Sequence, residues 1–420
     1  MDRIWDLIVC GGGFTGVAAA VAAAREGAQV LLIEKNGYLG GAAAQNYVNP
    51  FMGYQMTDRE SGRQVQLNCG LFDTILHRLD ELGGLHKNRV TFNEEMVKLV
   101  FDRLTREHGV RVLFHSFVEA AEVEAASIRC VRAVSKGGQH TYRARYFIDA
   151  TGDADLTVLS GCSYRLGREP DNACQPMTLC FRIAGVDTDA YWNGGREEAN
   201  RLYKQRLSEG RLLNPREDVL TFRHMADGVV HFNSTRVIRH CPVNTEELSE
   251  AESLAREQMY ELFMLLKENV ACFRNAVLLA SAPEIGVRES RMLVGRYVIE
   301  AEELLRCTKF ADSIARGNYE VDIHSPDGSG TTHRRVPEGD YYTIPYRALL
   351  PKEIDNLVVA GRCISSTHEA QSAYRILPIC TCIGEAAGLA ISLALHRQIR
   401  PADVDIAALH ALLDKYGAAY

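Results

Sequence analysis

The sequence predicts an α/β protein in two parts. One is a parallel-sheet domain assembled from both ends of the chain, and the other is a mainly antiparallel α+β domain inserted between them. Three observations carry this. A strand–turn–helix–strand unit opens the chain, strand-and-glycine texture returns after about residue 346, and the block between them has neither.

The opening unit is the most specific. Leu7 to Val9 reads as a buried strand, and the turn after it carries Gly11, Gly13 and Gly16 in G-x-G-x-x-G spacing. Val17 to Ala24 reads as a small-residue helix ended by Gly27, and Gln29 to Ile33 as a second strand with Glu34 at its carboxyl end. Gly11 permits the tight turn, Gly13 lets a pyrophosphate approach the backbone, and Gly16 lets helix and strand pack closely. The helix amino terminus offers unpaired N–H groups and a positive dipole end to phosphate, and Glu34 can accept from a ribose diol. The unit is therefore a Rossmann-like dinucleotide-binding element.

The rest follows in order. Residues 46–165 are expected to hold an amphipathic helix from Leu71 to Leu82, then strands over Val110 to Phe114, Ser116 to Val123 and Ile128 to Val134. Gly137-Gly138 makes a hairpin turn, and Tyr146 to Asp149 a buried strand running into a glycine turn at Gly152. In residues 166–345, Thr178 to Ile183 and Val229 to Val237 read as antiparallel strands, and Thr245 to Val270 as a polar-faced helix. Strand Leu357 to Ala360 and a long helix from Leu377 to Leu395 restore the α/β texture. The expected domains are thus 1–165 with 346–420 for the dinucleotide, and 166–345 for a substrate.

Bulk properties narrow the function. The 420 residues are 46% hydrophobic and 24% charged with a net charge of −7, which leaves room for a large core and argues against a nucleic-acid partner. No apolar run is read as reaching the ~20 residues that cross a bilayer. The dinucleotide strand begins so near Met1 that a signal peptide is not expected, and a cytoplasmic location is. The 12 cysteines show no C-x-x-C, so no metal site and no dithiol centre is expected; Cys380 and Cys382 read as helix packing.

Three later features favour flavin over nicotinamide. Asp149-Ala-Thr-Gly-Asp153 and Asn356-Leu-Val-Val-Ala-Gly-Arg362 are strand–glycine elements of the kind found where a chain passes back over FAD. Gly384-Glu-Ala-Ala-Gly388 is expected to start or interrupt a helix whose amino end points at the isoalloxazine, where it would stabilise reduced-flavin charge by roughly 0.3–2 kcal/mol. With these stand Gly286-Val-Arg-Glu-Ser-Arg291, Tyr319-Glu-Val-Asp-Ile-His324, Tyr342-Thr-Ile-Pro-Tyr-Arg347, Gly361-Arg-Cys-Ile-Ser-Ser-Thr-His368 and Arg375-Ile-Leu-Pro378. Together they resemble the FAD-dependent oxidoreductase family of the glutathione-reductase-type flavoprotein superfamily, related to fumarate reductase flavoprotein subunits. The resemblance covers nearly the whole chain and leaves the substrate open.

Non-covalent FAD is expected, since covalent attachment needs a nucleophilic His, Cys or Tyr at the flavin methyl edge and Gly40 to Tyr47 offers no His or Cys there, only Tyr47 at its end. By that resemblance the pyrophosphate and ribose would be gripped by Gly11, Gly13, Thr15, Gly16, Glu34 and Lys35. Gly40 and Gly41 would run beside the ribityl, and Val118 would meet adenine with its backbone. Ala150, Gly152, Gly361, Arg362 and Gly384 would complete the site. No second G-x-G-x-x-G and no redox disulfide spacing is present, so electrons would come from the substrate, a partner protein or a visiting nucleotide.

Hydride transfer at flavin N5 needs a proton-handling group and a clamp for the substrate. His368 and Arg375 flank the approach to the long helix and are the first candidates. Arg288 is expected either to join an ion-pair network with Glu289 and Arg291 or to meet a substrate carboxylate, and His324 is a second acid/base candidate. The expected activity is hydride transfer between flavin and a small polar substrate bearing a carboxylate or carbonyl. The alternatives are a flavoprotein subunit that needs an electron-transfer partner, and a non-redox dinucleotide-binding protein similar to thiazole synthases. Oligomeric state is not legible.

Overall fold

The computed structural model describes residues 3–59, 61–328 and 330–420. Its central sheet has seven strands, and five of them run parallel in the order 111–113, 30–33, 4–10, 138–149 and 357–359. The first strand reads Ile-Trp-Asp-Leu-Ile-Val-Cys and buries Leu7 to Cys10 completely, as a strand covered on both faces must. Strand Gly138–Asp149 is long enough to join the parallel and antiparallel parts of this one sheet. Its first half pairs antiparallel with Ser127–Ser135 through the Gly138 turn, and Phe147 to Asp149 pair parallel with Leu357 to Val359. The meander is completed by Phe117–Glu124. The core is mixed α/β with a parallel, Rossmann-like sheet.

Two helices lie against each other at backbone distance. Phe14–Arg25 is built almost wholly from alanine and valine, and it packs along Leu377–Arg397. A Cβ added at Gly384 would stand 2.2 Å from the Thr15 carbonyl, and one at Gly388 2.2 Å from the Ala19 carbonyl. Gly384 therefore lies two turns inside a helix that begins at Leu377, and it makes the helix contact possible rather than opening the helix as expected. Leu377–Arg397 is long and apolar enough to cross a membrane, contrary to the expectation that no run reached that length, but nearly all of it is buried in the protein.

A second, separate core forms on a four-stranded antiparallel sheet ordered 221–223, 229–232, 181–184 and 277–281. Phe181 and Phe232 stack across it at 4.8 Å, and helices Arg196–Ser208 and Thr245–Asn269 cover that face. This core runs from Met177 to Ile285. Ile299 to Tyr346 instead bury their apolar residues in the first core, alongside Leu377 and Ile379. By packing, then, the insert is shorter than the expected 166–345, because strands Ser313–Gly317 and Tyr342–Pro345 pair under the terminal helix.

Candidate functional site

The glycine turn is shaped as a cradle. Gly11 sits at φ +98°, and a Cβ there would be 2.4 Å from the Ala150 carbonyl. A Cβ on Gly16 would be 1.8 Å from the Gly11 carbonyl, so the strand–helix contact requires glycine at both. Gly13 differs, since the nearest atom to its Cβ position is Gly41 Cα at 3.7 Å. Gly13 is the N-cap of Phe14–Arg25, and neither a capping side chain nor an acid in the first turn answers the free N–H groups. Space and unpaired donors coincide there, which is the requirement for a pyrophosphate. Gly40, at φ +121°, donates its N–H to the Gly12 carbonyl and brings Gly41 alongside.

Glu34 accepts from Gly12 N at 2.6 Å and from the Asn36 backbone and side chain, which orients its carboxylate at the strand end. Ser116 N reaches the Glu34 carbonyl, so Val118 begins its strand beside the acid. Lys35 reaches Glu284 of the insert at 3.1 Å. Ala150 and Gly152 form the turn over Arg362, whose guanidinium binds Asp153 at 2.7 Å, and Gly361 packs on Thr15. Asp153 and Asp155 do not cap the following helix. Asp149 does so from inside, accepting from Thr157 N at 2.8 Å, while Asp155 pairs with Arg291. The open space and free N–H groups at Gly13 fit a dinucleotide such as FAD, which Gly11 to Gly16, Glu34 and Arg362 would hold.

The four catalytic candidates converge beside this cradle, at the seam between the two cores. His368 opens helix His368–Tyr374, and its Nδ1 lies 2.7 Å from Glu289 Oε1. The Glu289 carboxylate only accepts, so Nδ1 carries the proton, and among the described residues Nε2 has no hydrogen-bond partner. Arg375 follows the same helix and donates to the Asp322 carbonyl at 3.3 Å. Arg288 donates to the Pro176 carbonyl at 2.6 Å and to Thr178 and Asn233. Among the described residues no carboxylate lies within ion-pair reach of Arg288 or Arg375. Both are half-buried and keep partial solvent access. Burial, with Arg375, Arg216 and Arg236 adding like charge, pushes the Arg288 pKa down to about 9. Burial also lowers that of Arg375, opposed by Asp322.

His324 belongs to the same cluster in a different capacity. Its Nδ1 meets Arg236 Nη2 at 3.1 Å, and a guanidinium only donates, so Nδ1 is bare and the proton sits on Nε2 toward Asp322 at 3.4 Å. Burial and the nearby Arg288 hold its pKa down at about 3. With both nitrogens engaged inside the protein, His324 orients Asp322 and Arg236, and the expected acid/base role does not suit it. Arg216, Arg236, Glu217 and Asp322 are the residues the sequence reading missed. Arg236 carried a signal, being a charge inside an apolar alternation read as strand, and it is buried to 1% exposure. Tyr342, Tyr346 and Arg347 pack away from this cluster: the two phenols donate to the Ala373 and Pro401 carbonyls, and Arg347 pairs with Asp312.

Comparison with known proteins gives one family and a fold. The family model for FAD dependent oxidoreductases matches residues 6–413. No curated protein matches the sequence significantly. A geranylgeranyl bacteriochlorophyll reductase-like protein from Thermoplasma acidophilum aligns over 100% of this chain and 85% of its own, with 13% identity and a TM-score of 0.50. The p-nitrophenol 4-monooxygenase PnpA from Pseudomonas putida DLL-E4 aligns over 99% and 84%, with 11% identity and a TM-score of 0.45. At such identities the likeness speaks to fold alone.

Proposed function

Given that the chain belongs to the FAD-dependent oxidoreductase family, we propose that it exchanges a hydride between FAD and a small polar substrate bearing a carboxylate or carbonyl, bound at the seam of the two cores. The single observation that carries this reading is the pair Arg288 and Arg375. Two half-buried guanidiniums with no carboxylate in ion-pair reach among the described residues are unfavourable, and an anionic group between them would offset their charge through bidentate hydrogen bonds. FAD, when bound, supplies the hydride acceptor or donor. Arg288 and Arg375 orient the substrate, and His368 exchanges a proton with it at Nε2. The cofactor is held without a covalent bond, and the domain boundary is drawn where the second core begins and ends, near residues 177 and 285.

The proposal is tested by anaerobic bleaching of the purified flavoprotein with paired metabolites, each acid beside its neutral amide or ester. The expected result is bleaching by members of the acid set, with the neutral counterparts at least roughly tenfold slower, as loss of a charge-assisted hydrogen-bond pair implies. Equal bleaching by acid and amide would remove the arginines from substrate binding. A colourless protein would return the chain to the non-redox, dinucleotide-binding alternative.

A further inference from the structure

Among the described residues, Glu289 is the most deeply buried carboxylate at the seam. Its side chain is fully enclosed, at 0% exposure, between two arginines that both turn away from it. Arg288 reaches the Pro176 carbonyl and Thr178, and Arg291 reaches Asp155 and the Asp153 carbonyl. The carboxylate is instead divided between two other donors. Oε1 takes His368 Nδ1 at 2.7 Å, and Oε2 takes the Gln175 backbone N–H at 2.9 Å. Gln175 in turn accepts the His324 N–H on its side-chain oxygen at 3.3 Å. An enclosed carboxylate needs this much partnering to remain in place, and only an acceptor on both oxygens satisfies both neighbours.

We infer that Glu289 is a positioning residue that fixes His368 in the Nδ1–H tautomer and so presents a bare Nε2 to the proposed substrate site. It rests on the reading of His368 as the group that exchanges the proton. The geometry favours this over a merely structural ion pair in one respect. A structural pair would be served by any donor on His368, whereas this contact uses Nδ1 and leaves Nε2 with no hydrogen-bond partner among the described residues. When His368 takes a proton at Nε2, the new cation forms against a carboxylate already in contact, so no side chain has to move. Gln175 keeps the carboxylate from rotating, since turning it would strand a buried backbone N–H.

The test is nitrogen NMR of the histidine rings in the FAD-loaded protein, with the His368 signal assigned by its loss in His368→Gln. At a pH where the ring is neutral, the wild type should hold its proton on Nδ1 and leave Nε2 bare, by a margin of roughly tenfold or more. In Glu289→Gln only one oxygen remains to accept, so His368 and the Gln175 N–H compete for it. The margin should then collapse toward a mixture of tautomers while FAD content is retained. Glu289→Asp, which keeps both acceptors, should recover part of the preference. A neutral wild-type His368 protonated on Nε2 would overturn the inference without any variant, and so would an unchanged tautomer in a folded Glu289→Gln protein. A failure of the proton-transfer reading looks different: the tautomer is as stated, yet His368→Gln bleaches with substrate at the wild-type rate.

Discussion

At the scale of single residues, the glycines of the first turn separate into two kinds that the motif alone does not distinguish. Gly16 is required by the fold, because its Cβ would meet the Gly11 carbonyl at 1.8 Å, whereas Gly13 has open space to 3.7 Å. Gly16→Ala should therefore lose about 1–3 kcal/mol or more of stability in the apo protein. Gly13→Ala should melt close to wild type yet bind FAD more weakly, and Gly13→Val should not retain it. Thermal melts and flavin content on the same preparations check this. Buried histidines give a second prediction. Burial, with Arg182 adding like charge, holds the His231 pKa down at about 3, and its ring lies tilted beside Phe222 at 6.2 Å. Its folded-state value lies below the unfolded value, so the unfolded chain binds more protons between about pH 6.5 and 3 and stability falls as pH falls through that window. His231→Phe should shrink the loss between pH 7 and pH 5 by about 2 kcal/mol, read from urea denaturation at the two pH values. An equal loss in both proteins would mean that His231 is protonated in the fold.

Among the elements, the terminal helix joins the first core through one charge. Glu385 lies fully buried on an otherwise apolar helix. It binds Arg25 at 2.6 Å and accepts the Leu71 N–H at 2.8 Å, closing the start of helix Leu71–Glu81. Burial pushes its pKa up, while Arg25 and the Leu71 N–H oppose that rise. Removing the cation strands the carboxylate, so Arg25→Met should cost about 3–5 kcal/mol, and Glu385→Gln, which keeps an acceptor for Leu71, should cost less. Chemical denaturation of the two variants decides it. Regular elements were legible wherever apolar period and glycine punctuation agreed, as in Phe14–Arg25, Ser127–Ser135 and Thr245–Asn269. The long helix was legible from its start at Leu377, but the work of Gly384 and Gly388 inside it was not, because they look like breakers in sequence, and only the facing Thr15 and Ala19 carbonyls show them to be contacts. The strands near 313–345 carry polar texture like that of the insert, and their allegiance to the first core is set by long-range pairing that no local pattern encodes.

Over the whole molecule, the proposed substrate site sits where the two cores meet. The cofactor cradle was readable because a dinucleotide needs glycines at fixed spacing, and that constraint is local. The substrate site was readable only in part. His368, Arg375 and Arg288 lie in recognisable segments, but Arg216 and Arg236 come from an irregular stretch and a strand exit in the insert. Their convergence depends on how the antiparallel sheet docks against residues 288 and 322–324. The account turns on Arg288 and Arg375 holding the substrate and not the cofactor. The direct measurement is flavin content and the rate of anaerobic bleaching by an acid substrate, taken on one preparation each of wild type, Arg288→Ala and Arg375→Ala. Both variants should keep most of their FAD and bleach at least roughly tenfold more slowly per bound flavin, the loss expected for a charge-assisted contact. A bleaching rate per flavin equal to wild type, with flavin lost in step with activity, would place these arginines on the cofactor and contradict the account.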